Sequence, residues 1–298
     1  MNRGLGGLAL LAILSSAPRA QAERDLNESQ PSLWSALHSG ILAASVITSG
    51  AVEYWGAPSR DPRFRGALGL ERGAEANFSI FTSRATDLTL GASMIAPVGA
   101  FGTNDNAVRF DNQLLIYGES LSLSLVLNTV VKHLVLRSRP YTFNAGKMAT
   151  AFKDARGKDG VVSFYSGHSA MSFTAATAGG YLFSSSPASE GSQAALWAVE
   201  LSLASFTAHG RIRAGMHYTS DVVVGALVGM AFGLGVPLLH GVTPEITPPE
   251  WAAIAGGLAL GTSAAFLFPT KMAEDLAAYD FRVNPMVGGA TVSVGSIW

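Results

Sequence analysis

Seven apolar stretches of helical length recur along the chain, at residues 35–54, 88–102, 114–136, 169–183, 194–208, 222–239 and 251–268. Glycine, proline and serine clusters separate several of them, notably at 184–192 and 241–249. Apolar helices of this length joined by short connections predict an all-α bundle. The tail has a different rhythm. Residues 281–287 and 291–298 alternate polar and apolar positions around Gly288-Gly289, which predicts a short β-hairpin appended to the helices.

Composition sharpens the picture. Of 298 residues, 48% are hydrophobic and only 14% charged, against about 25% charged in ordinary soluble domains. Such a chain is a membrane protein or an unusually apolar helical one. The stretches 222–239 and 251–268 are near the minimum length for a bilayer span. Against simple spanning, 114–136 carries Glu119, Asn128 and Lys132, and 194–208 carries Glu200. Ionisable groups cost roughly 2.5–3.5 kcal/mol each at mid-bilayer unless they face the bundle interior. The loops 104–112, 184–192 and 241–250 hold a single basic residue, Arg109, although a cytoplasmic face is normally rich in Lys and Arg. The low charge fraction still favours a membrane protein, with a soluble periplasmic one as the alternative.

The N-terminus reads as an address. Arg3 is followed by the apolar run 5–14 and by Ala20-Gln21-Ala22, which predicts a bacterial signal peptide over 1–22, cleaved before Glu23, or an uncleaved anchor. A formal net charge of −1 excludes a nucleic-acid partner, which requires a broad basic surface. The absence of cysteine excludes disulfides, thiolate catalysis and cysteine metal sites.

In a chain so poor in charge, three polar segments stand out: 132–140 (KHLVLRSRP), 165–168 (YSGH) and 210–221 (GRIRAGMHYTSD). Lys132 and Arg139 are two helical turns apart, so a helix continuing to Pro140 would set both on nearly one face. There Arg139 can fork onto two phosphate oxygens while Lys132 acts as a mobile point charge. His133 and Arg137 read as juxtamembrane basic residues. Ser166-Gly167-His168 stands directly before an apolar run, where a helix N-terminus offers free N–H groups to an anion. Gly167 admits a close ligand, Ser166 can donate a hydroxyl, and His168 can pass a proton to a departing oxygen. His217 and Asp221 are four apart, which on a helix lets the carboxylate hold one ring nitrogen and leave the other as a nucleophile. Gly215 permits a turn that brings Arg211 to the anion from another side.

This arrangement resembles the type 2 phosphatidic acid phosphatase (PAP2) superfamily, which also includes bacterial acid phosphatases and vanadium haloperoxidases. Its signature is K-x6-R-P, P-S-G-H and S-R-x5-H-x3-D. Lys132, Arg139 and Pro140 match the first part. Ser166, Gly167 and His168 match the second, and Arg211, His217 and Asp221 the third. Tyr165 stands in place of the proline and Gly210 in place of the serine before Arg211. The resemblance implies a six-helix bundle, here with an extra C-terminal helix, and a reaction needing no metal or other cofactor. It further implies that His217, assisted by Asp221, attacks phosphorus and that His168 protonates the leaving group. Lys132, Arg139, Arg211 and the groups at Ser166-Gly167 would hold the phosphate oxygens.

The expected organisation is a signal peptide (1–22), an N-terminal helix and loop (23–78), a catalytic helical core (79–240) and a C-terminal helix and tail (241–298). The expected function is phosphatase action on a phosphate monoester or diphosphate of a lipid, in the bacterial envelope, at the periplasmic face of the inner membrane or in the periplasm. A lipid partner is suggested by the apolar helices alone. Other readings are a soluble periplasmic acid phosphatase, a haloperoxidase whose His217 binds vanadate, and a non-catalytic lipid-binding envelope protein. The sequence does not specify an oligomeric state. Substrate choice is assigned to the loops 56–72 and 141–160. His38, His209 and His240 read as packing groups without an acid partner, Glu119 and Glu200 as bonding across helices, and Asp87, Asp105 and Asp111 as having no informative spacing.

Overall fold

The computed structural model describes residues 36–55, 61–103, 107–270, 279–286 and 289–296. The predicted signal peptide lies outside them. Each of the seven apolar stretches is a helix: α1 (Ala36–Trp55), α2 (Ile80–Phe101), α3 (Ala107–Val135), α5 (Gly167–Ser184), α6 (Glu190–Arg213), α7 (Thr219–Leu239) and α8 (Pro248–Leu267). The eighth helix, α4 (Lys147–Arg156), lies inside the segment expected to be a loop. Its sequence KMATAFKDAR is too short and too polar to register as an apolar stretch. Strands β1 (Tyr279–Met286) and β2 (Gly289–Ser296) pair antiparallel.

Helix α5 is the axis of the bundle, packed by α2, α3, α6 and α7, and from Ser172 to Ser184 every residue on it is buried. Its Ala, Gly, Ser and Thr residues keep it thin. On the facing helix, Gly225, Gly229 and Gly233 recur every four residues. A Cβ at these positions would come within 2.6 Å of Ser166 O, 2.3 Å of Ala170 O and 1.9 Å of Thr177 Oγ1. That stripe brings two backbones into direct contact, as small residues do between membrane helices. The contact has a chemical consequence. It locks the N-terminus of α5, which carries Ser166, against the N-terminus of α7, which carries Asp221, and the Ser166 N–H donates to Asp221 O at 3.0 Å.

Among the described residues, three helices are long and apolar enough to cross a membrane: Phe110–Val135, Thr219–Leu239 and Pro248–Leu267. Large aliphatic and aromatic side chains stand exposed on the outer faces of α2, α7 and α8, among them Leu88, Ile95, Leu227, Leu260 and Phe266. Membrane association follows from these surfaces.

Several polar residues inside the helices differ from expectation. His38 and His240 are not packing groups without a partner, because both bond Glu119, at 2.8 and 2.7 Å. Glu119 thus bonds across helices as expected. Glu200, fully buried in α6, has no hydrogen-bond partner among the described residues. His209 packs on the Phe266 ring at 4.1 Å.

Candidate active site

Helix α3 delivers Lys132 in its last turn but ends at Val135, four residues short of Arg139. Leu136 adopts a left-handed conformation (φ 49°), which breaks the helix. Lys132 and Arg139 therefore do not share a helix face. Arg139 is extended, just ahead of a short 3₁₀ turn at Pro140–Phe143. Arg137 and Arg139 reach different partners. Arg139 donates to Asp159 O at 2.8 Å and Oδ1 at 2.9 Å, to Met216 O at 3.3 Å, and to His217 Nε2 at 3.1 Å.

Arg137, expected to be a juxtamembrane charge, is buried to 1% exposure. It donates to Asp221 Oδ1 at 2.6 Å, Ser220 Oγ at 2.7 Å, Glu71 Oε2 at 2.8 Å and Gly66 O at 3.2 Å. Its guanidinium also lies 4.2 Å from the centre of the Tyr218 ring.

Ser166 caps α5, its hydroxyl accepting from the Ser169 N–H at 3.3 Å. Gly167 opens the helix beneath Lys132, and a Cβ there would meet Asn128 Oδ1 at 2.7 Å and Lys132 Nζ at 3.3 Å. Asn128 holds this corner by donating to Tyr165 O at 2.9 Å. The lysine ammonium thus stands beside the first N–H groups of α5, where the helix dipole is positive.

His217 and Asp221 are not a one-face helical pair. His217 precedes α7, Tyr218 is the cap, and Asp221 in the first turn accepts from the Tyr218 N–H at 3.0 Å. Its Oδ2 is 3.7 Å from His217 Nδ1, too far for a direct hydrogen bond. Ser163 bridges them: its hydroxyl donates to Asp221 Oδ2 at 2.6 Å and lies 3.5 Å from His217 Nδ1. Because Arg139 can only donate, its contact with Nε2 requires a lone pair there, so the proton of the neutral ring is on Nδ1.

Arg211, at the end of α6, reaches the site as Gly215 (φ +73°) turns the chain. It donates to Ser83 Oγ at 3.0 Å, Thr86 Oγ1 at 3.2 Å and Asp87 Oδ1 at 3.4 Å, all on α2. A Cβ at Gly210 would lie 2.5 Å from Thr86 Cγ2, so this chain has no room for a serine there. The α2 hydroxyls orient Arg211 instead. Asp87 also bonds His168 Nε2 at 2.7 Å.

The electrostatics tie the two imidazoles together. Burial, then the positive charges of Arg211 and Lys132, push His168 down to about 4 against the opposing pull of Asp87. Burial, followed by Arg139, Arg211, Lys132 and His168, holds His217 well below the ordinary histidine value. Lys132 and Arg211 thus act on both rings, and three cations converge on one spot beside two neutral imidazoles. Sequence reasoning missed Arg137, Asp87, Ser163, Asp159 and Asn128. Arg137 and Asp87 had a signal, since each is a charge bordering an apolar stretch of a charge-poor chain. The other three had none.

A family model of the PAP2 superfamily matches residues 113–243, whose members are phosphatases. No curated protein and no solved structure matches the chain. The matched stretch carries Lys132, Arg139, Ser166, Gly167, His168, Arg211, His217 and Asp221, which the bundle gathers at one end, and over that stretch the chain is similar to the PAP2 superfamily.

Proposed function

We propose that this chain hydrolyses phosphate monoesters or diphosphates of a lipid, without a metal in the reaction, at the periplasmic face of the envelope. The observation that carries the reading is His217 Nε2. It is a buried lone pair, 3.1 Å from the Arg139 guanidinium, with its Nδ1–H backed by Ser163 and Asp221.

Nε2 attacks phosphorus, an N–P bond forms, and the P–O bond to the leaving group breaks. The negative charge of the substrate offsets Lys132 and Arg211, so His168 takes up a proton on binding and gives it to the leaving oxygen. Water then attacks phosphorus, the N–P bond breaks, and His168 accepts the proton of the water. Lys132, Arg139, Arg211 and the N–H groups behind Ser166 hold the equatorial oxygens throughout. Fixed charge aimed at the transferring group supplies most of the rate enhancement in such reactions.

Two surfaces support a lipid substrate. Leu88, next to the carboxylate that holds His168, is largely exposed, so apolar surface begins beside the proposed acid. A cleft of about 460 Å³ is lined by Arg65, Ser138, Phe143, Lys153 and Gly160, a recess of mixed apolar and charged character for a headgroup. Its walls come from both segments assigned to substrate choice.

The test is phosphate release by detergent-purified protein from short-chain lipid phosphates, with EDTA present. Release that vanadate blocks and His217→Ala abolishes supports the mechanism. Release only on adding metal, or none from any phosphate ester, overturns it. Peroxide-dependent bromination after vanadate loading would instead favour the haloperoxidase chemistry.

A further inference from the structure

The cluster His38–Glu119–His240 takes no part in the chemistry above. It joins the first turn of α1, the first half of α3 and the C-terminal cap of α7. Since α7 is 21 residues long, the cluster lies about 30 Å from the catalytic end of the bundle.

Glu119 is 3% exposed and lies within a helix apolar enough to cross a membrane. A carboxylate in that setting needs compensating positive charge. Both of its oxygens face imidazoles: Oε1 is 2.8 Å from His38 Nδ1 and Oε2 is 2.7 Å from His240 Nε2. The two rings face each other with centroids 5.1 Å apart. All three donor atoms lie within 4.8 Å of one another, and among the described residues no other His, Cys, Asp or Glu group does so. Tetrahedral ligands at zinc distances are about 3.3 Å apart, so an outward shift of about half an ångström at each contact would admit an ion. The cap position of His240 adds to the attraction, because the carbonyl end of a helix favours a cation.

We infer that His38, Glu119 and His240 bind a divalent transition-metal ion of the zinc class, which fastens α1 to α7. Two imidazoles and one carboxylate suit zinc and its first-row neighbours rather than calcium or magnesium, whose sites are built from oxygen. Helix α1 otherwise packs chiefly on α3, so the ion supplies its tie to the rest of the bundle.

The probe is the metal alone, added to tag-free protein in detergent after chelator treatment. One equivalent of Zn²⁺ should bind. Co²⁺ in its place should show the visible absorption of a low-coordinate nitrogen and oxygen site. Glu119→Gln and His240→Ala should weaken binding by at least about 100-fold, beyond the 10–100-fold typical of an outer-shell change, while His168→Ala leaves it intact. Should the variants not fold, the wild type decides: zinc should raise its Tm, and EDTA should lower it without altering the pH profile of phosphate release. Less than a tenth of an equivalent bound, or equal binding by folded His240→Ala, would overturn the site and leave a hydrogen-bonded triad. Neither result bears on His217.

Discussion

Arg137 Nη1 and Asp221 Oδ1 are 2.6 Å apart, and neither side chain exposes more than 1% of its surface. The carboxylate that supports His217 is therefore shared. One oxygen neutralises a buried arginine, and the other serves Ser163 and the Tyr218 N–H. This fixes Asp221 more firmly than a pairing with histidine alone would, and it makes the fold depend on the site.

Removing Arg137 should unfold more than it inactivates. Arg137→Ala leaves Asp221 and Glu71 facing each other without their cation, a loss of about 3–5 kcal/mol for a broken buried pair. Arg137→Lys should recover only part of this, because it keeps the charge but loses the fork and the stacking on Tyr218. Thermal melting in detergent checks both. A melting temperature for Arg137→Ala within about 2 °C of wild type contradicts the shared-carboxylate account.

Ser163→Ala should act on turnover, with little effect on binding. The variant removes the bridge at 2.6 and 3.5 Å between Asp221 and His217. Hydrogen bonds to charged groups contribute about 1.5–3 kcal/mol, so kcat should fall by roughly 10–100-fold with KM nearly unchanged. Steady-state kinetics on one phosphate ester decides it. A change confined to KM would place Ser163 on the substrate side instead.

The Gly210 departure from the family pattern gives a reciprocal test. Gly210→Ser drives a Cβ to within 2.5 Å of Thr86 Cγ2, and overpacking of this kind costs about 1–3 kcal/mol. Combining it with Thr86→Ala should restore stability. The pair should be non-additive by about 1 kcal/mol or more, as residues in contact are. Additive losses in a double-mutant cycle would mean that Thr86 is not what excludes the serine.

Much of the bundle was legible because apolar runs of 15 or more residues leave few alternatives to a helix, and the three motifs kept their spacing. Two expectations failed because helical geometry does not continue through the motifs. Leu136 breaks the helix between Lys132 and Arg139, and His217 stands before α7 rather than on it. Long-range partners such as Ser163 for Asp221, or Asp87 for His168, leave no local periodicity to read. The short polar helix α4 was hidden for the opposite reason, having no apolar stripe.

The pH dependence follows from the two depressed imidazoles. A histidine with a lowered folded-state pKa binds fewer protons folded than unfolded, so stability rises with pH across the gap. For His168 the gap runs from 6.5 down to about 4. Its contribution is complete above pH 6.5 and is lost as the pH falls toward 4, at up to about 1.4 kcal/mol per unit. His217 adds a loss of the same sign that extends well below 6.5. Activity follows the same order. The proposed nucleophile, His217, stays unprotonated in mild acid, so kcat/KM should hold through pH 6.5 and decline only well below it. Lys132→Met removes a charge that lowers both rings, so the acid limb should move toward neutrality as phosphate affinity drops. His168→Ala should lower kcat most for leaving groups of high pKa, which need the proton, and least for a nitrophenolate. If Lys132→Met left the acid limb in place, or if His168→Ala slowed every leaving group equally, the two imidazoles would not share the field that the proposed chemistry requires.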